Sequence, residues 1–274
     1  MNEVAVYKCS SWDEFIARVR TGRFIGPRLF RGHRDPTWKL SSRWERLLEP
    51  HKEGNPNSNI KETFAAGNHE QFREEFLERF KRHAWEVGFD LGPGAPGTDN
   101  RNEWWAVARH HGLITPLLDW SYSPYVAAYF AFTDVINEYG SRTAPGFIRQ
   151  DVLDPEKFVQ IWELSFIEKD LAVSGEFELI TPRPTRALRQ IMQRGCFTRL
   201  THDVHIDIES YLRAKSKLNY LSRYDIPLQA LPAAVTDMRL MGLSHVMLFQ
   251  DLDGAAKEAN AAPYIDMLAA QVPK

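Results

Sequence analysis

The sequence predicts an α+β fold: a single domain with a central mixed sheet, one buried central helix and surrounding helices. Strand-like segments occur both early and late in the chain, at residues 28–35 and 245–249 for example. The number of predicted helices between successive strands varies, which disfavours a repeating βαβ array. The 274 residues, of which 43% are hydrophobic, can bury one full core.

Local patterns predict the first elements of the chain. Residues 4–20 indicate a short strand and then a helix that a serine caps. Residues 28–35 indicate a second strand that enters a loop. A two-residue period puts Leu29 and Arg31 on one face of that strand, so we expect Arg31 to point into the interior or a cleft. The next residue, Gly32, lets a ligand or another backbone approach closely.

A helical insertion with a Gly/Pro loop is predicted at about residues 45–100 of a domain that spans residues 1–274. Phenylalanines recur every fourth residue in its long helix, which we assign to residues 60–87. Such a stripe is typical of core packing. Residues 91–98 read LGPGAPGT, which is typical of a surface loop, and a lid is one interpretation of it.

The most informative stretch, residues 103–132, places polar side chains inside an otherwise apolar segment. Burial of such groups is costly unless each has a partner, so the pattern is typical of a site. The stretch begins with a predicted helix, in which His111 follows the apolar stripe that starts at Trp104. Residues 113–120 contain Pro116, which favours an extended or edge segment over a central strand.

A second helix follows, and we expect it to be the buried central one. Ser123 is its predicted N-cap, Pro124 takes the first helical position, and residues 125–132 are apolar all the way round. The free amides and positive dipole end of this helix would lie beside Asp119 and Ser121. We therefore expect that place to suit an anionic group.

Short strands and helices are predicted in the rest of the chain. The strands are assigned to residues 157–166, 176–180, 196–200 and 245–249. The helices are assigned to residues 42–50, 185–194, 211–224, 233–241 and 254–270.

Composition and charge disfavour several classes of protein. The formal net charge of -2 and the pI near 6.5 give no global reason to expect nucleic-acid binding. Two cysteines are too few for a disulfide framework, and we expect both to be packing residues in a reducing cytosol. The sequence has no targeting signal and no window of roughly 18 apolar residues, so we expect a cytoplasmic protein without membrane contact.

No standard motif identifies the chemistry. The chain has no Walker loop, GxGxxG or GxSxG pattern. The Asp-x-Asp-Gly run at residues 251–254 lacks the downstream motifs of aspartate-nucleophile phosphatases. The pair His202 and His205 has no third ligand for zinc. We predict neither a metal site nor a permanently bound cofactor.

Several motifs together resemble the FRG domain, a family named for its Phe/Tyr-Arg-Gly motif. In chain order they are Phe30-Arg31-Gly32, His110 to Ser121 (HHGLITPLLDWS), Pro124, residues 127–131, Gln193-x-Gly195-x-Phe197 and residues 248–254. The resemblance therefore covers most of the chain. Two features depart from it: the insertion before the second motif is long, and Gln250 stands where members of the family often have proline.

The resemblance implies a bacterial or phage-associated cytosolic protein of the kind often considered part of stress or phage-defence systems, in which a toxin is one role. It implies no established reaction. Function is therefore argued from the site itself.

Our first hypothesis is a nucleotide-handling enzyme with an ADP-ribosyltransferase-like site and NAD as its substrate. The order of features is similar to that superfamily, from an early Arg-Gly to a late polar residue at a strand start. Arg31 would contact the pyrophosphate as a planar bidentate donor. Gln193 would take the late position, where the superfamily usually has glutamate, and Asp119 would replace the missing charge.

Other residues would contact the nucleotide directly. His111 and Thr115 would hydrogen-bond a ribose or the nicotinamide amide, and Trp120 or Tyr129 would stack on a ring. The predicted contacts are completed by Gly32 and Ser121.

Three alternatives stay open. In the first, Arg31 and Asp119 form a buried ion pair that specifies the fold without any ligand. In the second, the chain is a binding module that senses a nucleotide, a phage component or a protein partner without turnover. The third, a nuclease or RNA-directed activity, is disfavoured by the charge balance but supported by a local arginine cluster. That cluster consists of Arg183, Arg186, Arg189, Arg194 and Arg199.

Overall fold

The computed structural model of the chain describes residues 3–22, 26–48, 69–92, 100–140, 153–154, 156–167, 170–171, 175–181, 188–201 and 207–270. Some sequence predictions fall on residues outside these ranges. They concern most of the Gly/Pro loop, the histidine pair His202 and His205, and the arginines Arg183 and Arg186.

Strands and helices alternate irregularly along the described residues. The strands are β1 (Ala5–Lys8), β2 (Arg28–His33), β3 (Leu118–Ser121), β4 (Phe158–Ser165), β5 (Phe177–Ile180), β6 (Gly195–Leu200) and β7 (Leu221–Pro227). The longer helices are α1 (Trp12–Thr21), α3 (His69–Glu86), α4 (Arg101–His110), α5 (Pro124–Gly140), α8 (Leu231–Leu240) and α10 (Leu252–Ala269). The shorter helices are α2 (Arg43–Leu48), α6 (Leu188–Met192), α7 (Ile208–Ala214) and α9 (His245–Phe249).

The strands of the described residues form one sheet, in the order β1-β7-β4-β2-β3-β6-β5. Strand β1 runs parallel to β7, and the other neighbouring pairs are antiparallel. The sheet is therefore mixed, which confirms the predicted α+β fold. The domain span of residues 1–274, with its insertion at about residues 45–100, stays a prediction.

The helix α5 is buried against the sheet, as predicted, and most of its first three turns is inaccessible to solvent. Ser123 caps it, because its Oγ accepts a hydrogen bond from the Val126 amide at 3.4 Å. A Cβ atom on Gly32 would lie 2.0 Å from the Ala127 carbonyl oxygen. Only glycine lets β2 approach α5 this closely, so the close approach at Gly32 is to another backbone.

The two faces of the sheet carry separate hydrophobic clusters. Phe30 packs in the cluster that contains α5, whereas Leu29 belongs to the cluster of the opposite face. The two-residue period predicted this alternation along β2. A third cluster joins α3 to α4, where the rings of Phe80 and Trp104 lie 6.2 Å apart. Phe80 of the phenylalanine stripe is therefore partly buried against a hydrophobic core, and the rings of Phe72 and Phe76 pack against the buried Trp44.

The strand β3 is central in the sheet, so the prediction of an edge segment at residues 113–120 is wrong. It pairs with β2 on one side and with β6 on the other. Pro116 lies two residues before the strand begins at Leu118. It therefore removes no hydrogen bond from the sheet.

Two assignments near the C-terminal end are also wrong. A single helix was predicted over residues 211–224, but α7 ends at Ala214 and β7 begins at Leu221. Strand β7 pairs with β1 and β4, which are distant in sequence, so a local pattern does not reveal it. The predicted strand at residues 245–249 is the helix α9, because Ser244 accepts a hydrogen bond from the Met247 amide at 3.1 Å and caps a helical turn.

The residue after α9, Gln250, has a φ of 53° and lies in the left-handed region. Proline is held near a φ of about −65°, so it cannot adopt this backbone. Gln250, where members of the family often have proline, thus ends α9 in a backbone conformation that proline cannot adopt.

Candidate functional site

A cleft of about 400 Å³ opens where the central strands β2, β3 and β6 meet the helices α4, α5 and α6. Phe249, at the end of α9, contributes to its outer wall. A cleft of this volume lies within the range typical of small-molecule sites. It is the candidate functional site.

Six of the nine residues predicted for the site line this cleft. They are Arg31, Gly32, Asp119, Trp120, Ser121 and Gln193. The sheet brings them together, since Phe30 on β2 pairs with Ser121 on β3, and Ser121 in turn pairs with Gly195 on β6. Segments that are far apart in the sequence thus meet in adjacent strands. The chemical roles given to these residues remain predictions.

Asp119 lies between two arginines. The Nη2 of Arg109 donates to the Asp119 Oδ2 at 2.7 Å, and the Nη1 of Arg31 lies 3.8 Å from the same oxygen. Burial by itself would raise the pKa of the Asp119 carboxyl, but Arg109 and Arg31 outweigh it and hold that pKa below its usual value. Asp119 is therefore ionised at neutral pH, and most of its charge is balanced within the cleft.

Two further contacts fix the guanidinium of Arg31. Its Nη1 donates to the Asp119 carbonyl oxygen at 2.7 Å, and its Nε donates to the Nε2 of His33 at 3.1 Å. His33 is buried, and burial together with the charge of Arg31 lowers its pKa to about 3. A neutral imidazole can accept this hydrogen bond. The Nη2 of Arg31 has no hydrogen-bond partner in the part of the chain that the structure describes.

The polar side chains of Ser121 and Gln193 are used within the fold. The Ser121 hydroxyl donates to the Gln193 carbonyl oxygen at 2.7 Å and accepts from the Ser123 amide at 3.0 Å. The Nε2 of Gln193 donates to the Leu248 carbonyl oxygen at 3.2 Å. These bonds join β3, the start of β6 and α9, and they engage an amide at the start of α5 where an anion site was predicted.

Arg189 and Phe249, which also line the cleft, form a cationic and aromatic part of it. Arg189 lies 4.0 Å from the centre of the Phe249 ring, and Lys257 lies 4.2 Å from it. The Nη1 of Arg189 also donates to the Nδ1 of His110, at 3.5 Å. The other two nitrogens of Arg189 make no hydrogen bond among the described residues, so this guanidinium is open to a ligand.

Cys196 also lines the cleft, but its thiol is fully buried. Burial raises the pKa of the Cys196 thiol to about 12. The thiol is therefore protonated at neutral pH and unsuited to nucleophilic attack. Both Cys196 and Cys9 are free and buried, as expected of packing residues.

The other three predicted residues do not line the cleft. His111 is exposed, because α4 ends at His110 and the apolar stripe does not extend to the next residue. Thr115 is fully buried in the segment before β3. Tyr129 lies in the core, where its hydroxyl is 2.9 Å from the Nδ1 of His245. These three side chains therefore lie outside the cleft, and the ligand contacts expected of them stay predictions.

Several residues of the cleft were missed by the sequence predictions. Arg109 points away from the apolar stripe of α4, and that orientation lets it reach Asp119. Asp134 follows Ala127 and Phe130 at a helical spacing on α5, and all three line the cleft. The charged residue within a long apolar helix was the available signal.

Of the five arginines considered for RNA or DNA binding, the three that the structure describes do not form one surface. Arg199 is buried, with ion pairs to Glu70 at 2.8 Å and to Glu178 at 3.4 Å. Arg189 lies in the cleft and Arg194 is exposed at the end of α6. A nuclease surface built from these residues is therefore disfavoured.

The described residues contain neither a candidate metal site nor a candidate membrane span. No group of three or more His, Cys, Asp and Glu side chains in those ranges could hold a metal ion. None of the helices there combines the length and apolarity needed to cross a membrane.

The mixed sheet, the buried helix α5 and the arginine-lined cleft define an α+β protein with a ligand-sized site on its central strands. Residues 27–139 match the family model of the FRG domain. This match supports the resemblance to the FRG domain that the motifs predicted. Comparison with curated proteins and with solved structures gives no significant match.

Proposed function

We propose that the cleft binds a nucleotide through its phosphate groups and its rings. The observation that carries the proposal is the presence of three arginines, Arg31, Arg109 and Arg189, each with at least one nitrogen that has no hydrogen-bond partner among the described residues. Guanidinium groups fixed in place by other contacts suit phosphate oxygens, because little side-chain entropy is lost when a phosphate binds.

The charge balance of the cleft supports an anionic ligand. Three arginines and two aspartates, Asp119 and Asp134, line it. Asp119 is already paired with Arg109, so a phosphate would meet a net positive environment at the remaining nitrogens. A ligand with a single carboxylate would bond to fewer of these arginine nitrogens, and a metal cation would be repelled by them.

The aromatic side chains support a ligand that also carries a flat ring. Trp38, Trp120, Phe130 and Phe249 line the same cleft as the arginines. A base or a nicotinamide could stack on such a surface, with about 1–3 kcal/mol for each stacked ring.

Titration calorimetry with ADP, ADP-ribose and NAD tests this proposal. We expect saturable binding to the wild-type chain and a loss of roughly ten- to a hundredfold in affinity for Arg189→Ala, because hydrogen bonds to charged groups contribute about 1.5–3 kcal/mol. Arg189 is the suitable position, since its guanidinium makes no contact that holds the sheet together.

The matched control is Arg79→Ala, which removes an exposed arginine of α3 outside the cleft. Its affinity for the same nucleotides should equal that of the wild type. Absence of binding to all three compounds, or equal losses in the two variants, would rule out the nucleotide site.

Cleavage of NAD is a second candidate function, and it would use the same cleft. An ADP-ribosyltransferase-like or NAD glycohydrolase reaction needs a carboxylate near the ribose to stabilise the positive charge that develops there. The position of the Asp119 carboxylate in the cleft, on the strand bonded to the Gln193 segment, favours this candidate. In hydrolysis, water would attack the ribose carbon, and nicotinamide and a proton would leave.

Incubation with NAD followed by detection of nicotinamide separates this reaction from binding alone. Release that disappears in Asp119→Asn supports the enzyme, whereas saturable binding without release supports a binding module. An enzyme that depletes NAD in this way would be toxic to the cell, and a toxin is one role that the family resemblance implies.

A further inference from the structure

Asp134 is the second carboxylate of the cleft, and it differs from Asp119 in its surroundings. It lies on the face of α5 that carries Ala127 and Phe130 into the cleft. Among the described residues it makes no hydrogen bond and no ion pair, and it is exposed at the cleft mouth. The carboxylate therefore keeps its full capacity to accept hydrogen bonds.

Enclosure by the cleft raises the pKa of the Asp134 carboxyl above its usual value, and three cations, Arg34, Arg31 and Lys257, act in the opposite direction. Arg34 pairs instead with Glu138 at 2.5 Å and lies over the Trp38 ring. Arg31 is held by Asp119 and His33, and Lys257 lies over Phe249. Each of these cations already contacts another group, so Asp134 has neighbours of opposite charge without being bound by them.

A phosphate group alone does not complement this arrangement. Its oxygens would bond to Arg31 and Arg189, but a nearby carboxylate would repel them. A ligand that carries hydroxyl groups a short distance from its phosphates would satisfy both kinds of group, because hydroxyls donate to a carboxylate. A ribose diol next to a phosphate has this combination.

We propose that Asp134 accepts hydrogen bonds from the ribose hydroxyls of the nucleotide and selects ribonucleotides over deoxyribonucleotides. The inference rests on the proposed nucleotide site and adds the sugar that the site recognises. It makes Asp134 a specificity-determining residue.

The test compares the affinities of ADP and 2′-deoxy-ADP by titration calorimetry, in the wild type and in Asp134→Ala. We expect the wild type to bind ADP at least about tenfold more tightly, since a charge-assisted hydrogen bond is lost with the 2′-hydroxyl. In Asp134→Ala the ratio of the two affinities should fall to near one. The affinity for 2′-deoxy-ADP should be unchanged or higher, because a negative charge near the phosphates is gone.

Asp13→Ala provides the matched control, because Asp13 is also an exposed helical aspartate with no partner among the described residues and lies outside the cleft. It should keep the wild-type ratio. Equal binding of the two nucleotides by the wild type, or an unchanged ratio in Asp134→Ala, overturns this inference and leaves the nucleotide site standing. Failure of the wild type to bind either nucleotide overturns both proposals.

Discussion

Two arginines of the strand β2 have different roles although only two residues separate them. Arg28 uses all three of its guanidinium nitrogens: Nε and Nη2 donate to Glu163 at 2.6 and 2.9 Å, and Nη1 donates to the Val19 carbonyl oxygen at 2.8 Å. Arg31 uses two nitrogens and leaves Nη2 without a hydrogen-bond partner in the described ranges. The side chain of Arg28 is 10% exposed and that of Arg31 is 21% exposed.

The difference between the two arginines lies in how completely each one is paired. An ion pair in which every guanidinium nitrogen is bonded, such as Arg28 with Glu163, contributes to a specific fold and leaves no nitrogen free for a ligand. A guanidinium that is fixed by two contacts and open at a third position is prepared for an anion. Incomplete pairing therefore distinguishes the candidate binding residue from the structural one.

The largest effect is expected for Arg28→Ala, which leaves the Glu163 carboxylate buried without its partner. Loss of one member of a buried ion pair costs roughly 3–5 kcal/mol, so the free energy of unfolding should fall by about that amount. Urea denaturation measures it. Replacement of both Arg28 and Glu163 by leucine should recover part of the loss, and a change below about 1 kcal/mol in Arg28→Ala would contradict the assignment.

Arg31→Ala should change binding more than stability. Asp119 keeps its pair with Arg109, so we expect the free energy of unfolding to fall by less than in Arg28→Ala. The affinity for ADP should fall by roughly ten- to a hundredfold, as expected for hydrogen bonds to a charged group. Calorimetry and urea denaturation of the same variant give both quantities.

A large loss of stability in Arg31→Ala, with no nucleotide binding, would indicate a structural role for Arg31. If Arg31→Ala unfolds the chain as strongly as Arg28→Ala and no nucleotide binds to the wild type, then Arg31 and Asp119 form a purely structural ion pair. That is the alternative that the sequence left open.

A pH-dependent effect on stability is expected at a carboxyl that is paired at one oxygen only. The Oε2 of Glu45 accepts a hydrogen bond from the Ser42 amide at 2.5 Å, while its buried Oε1 has no partner among the described residues. Burial raises the pKa of Glu45 from 4.5 to about 7. The folded chain thus holds a proton that the unfolded chain releases between these values, so stability falls as the pH rises through that window.

Glu45→Gln should remove this loss of stability. We expect the variant to gain roughly 2–3 kcal/mol relative to the wild type between pH 5 and pH 8, because one pKa unit corresponds to about 1.4 kcal/mol. Urea denaturation at the two pH values measures the difference. A difference that stays constant with pH would show that Glu45 titrates normally in the folded chain.

The sequence predicted those parts of the fold that local patterns encode. The Ser123 cap and the apolar helix α5 were expected from residue types at fixed spacings, and both are present. The motif at residues 30–32 was also interpreted correctly, with Phe30 on one face, Arg31 at a cleft and Gly32 at a close approach. Strand β7 and the helix α9 were not predicted, because long-range pairing determines one and a single cap residue determines the other.

The site shows the same limit more strongly. His111 and Tyr129 were expected at the ligand. His111 lies just after the end of α4 and is exposed, and Tyr129 lies on the face of α5 that packs in the core, beside His245. Arg109 and Arg189 were missed, since nothing in their neighbouring residues marks them as members of one cleft, and Asp134 was missed although its charge within an apolar helix was a signal. Contact between residues far apart in the chain follows from strand order.

The residue types of this chain by themselves determined its α+β class, its FRG motifs and the presence of an arginine at a buried strand end, since each depends on spacing within a few residues. Only the tertiary structure decided which charges are neutralised and which are open. Pairing of Asp119 with Arg109 and the lack of a partner for Asp134 among the described residues both depend on how strands and helices pack, because a hydrogen bond forms only where donor and acceptor lie within about 3 Å.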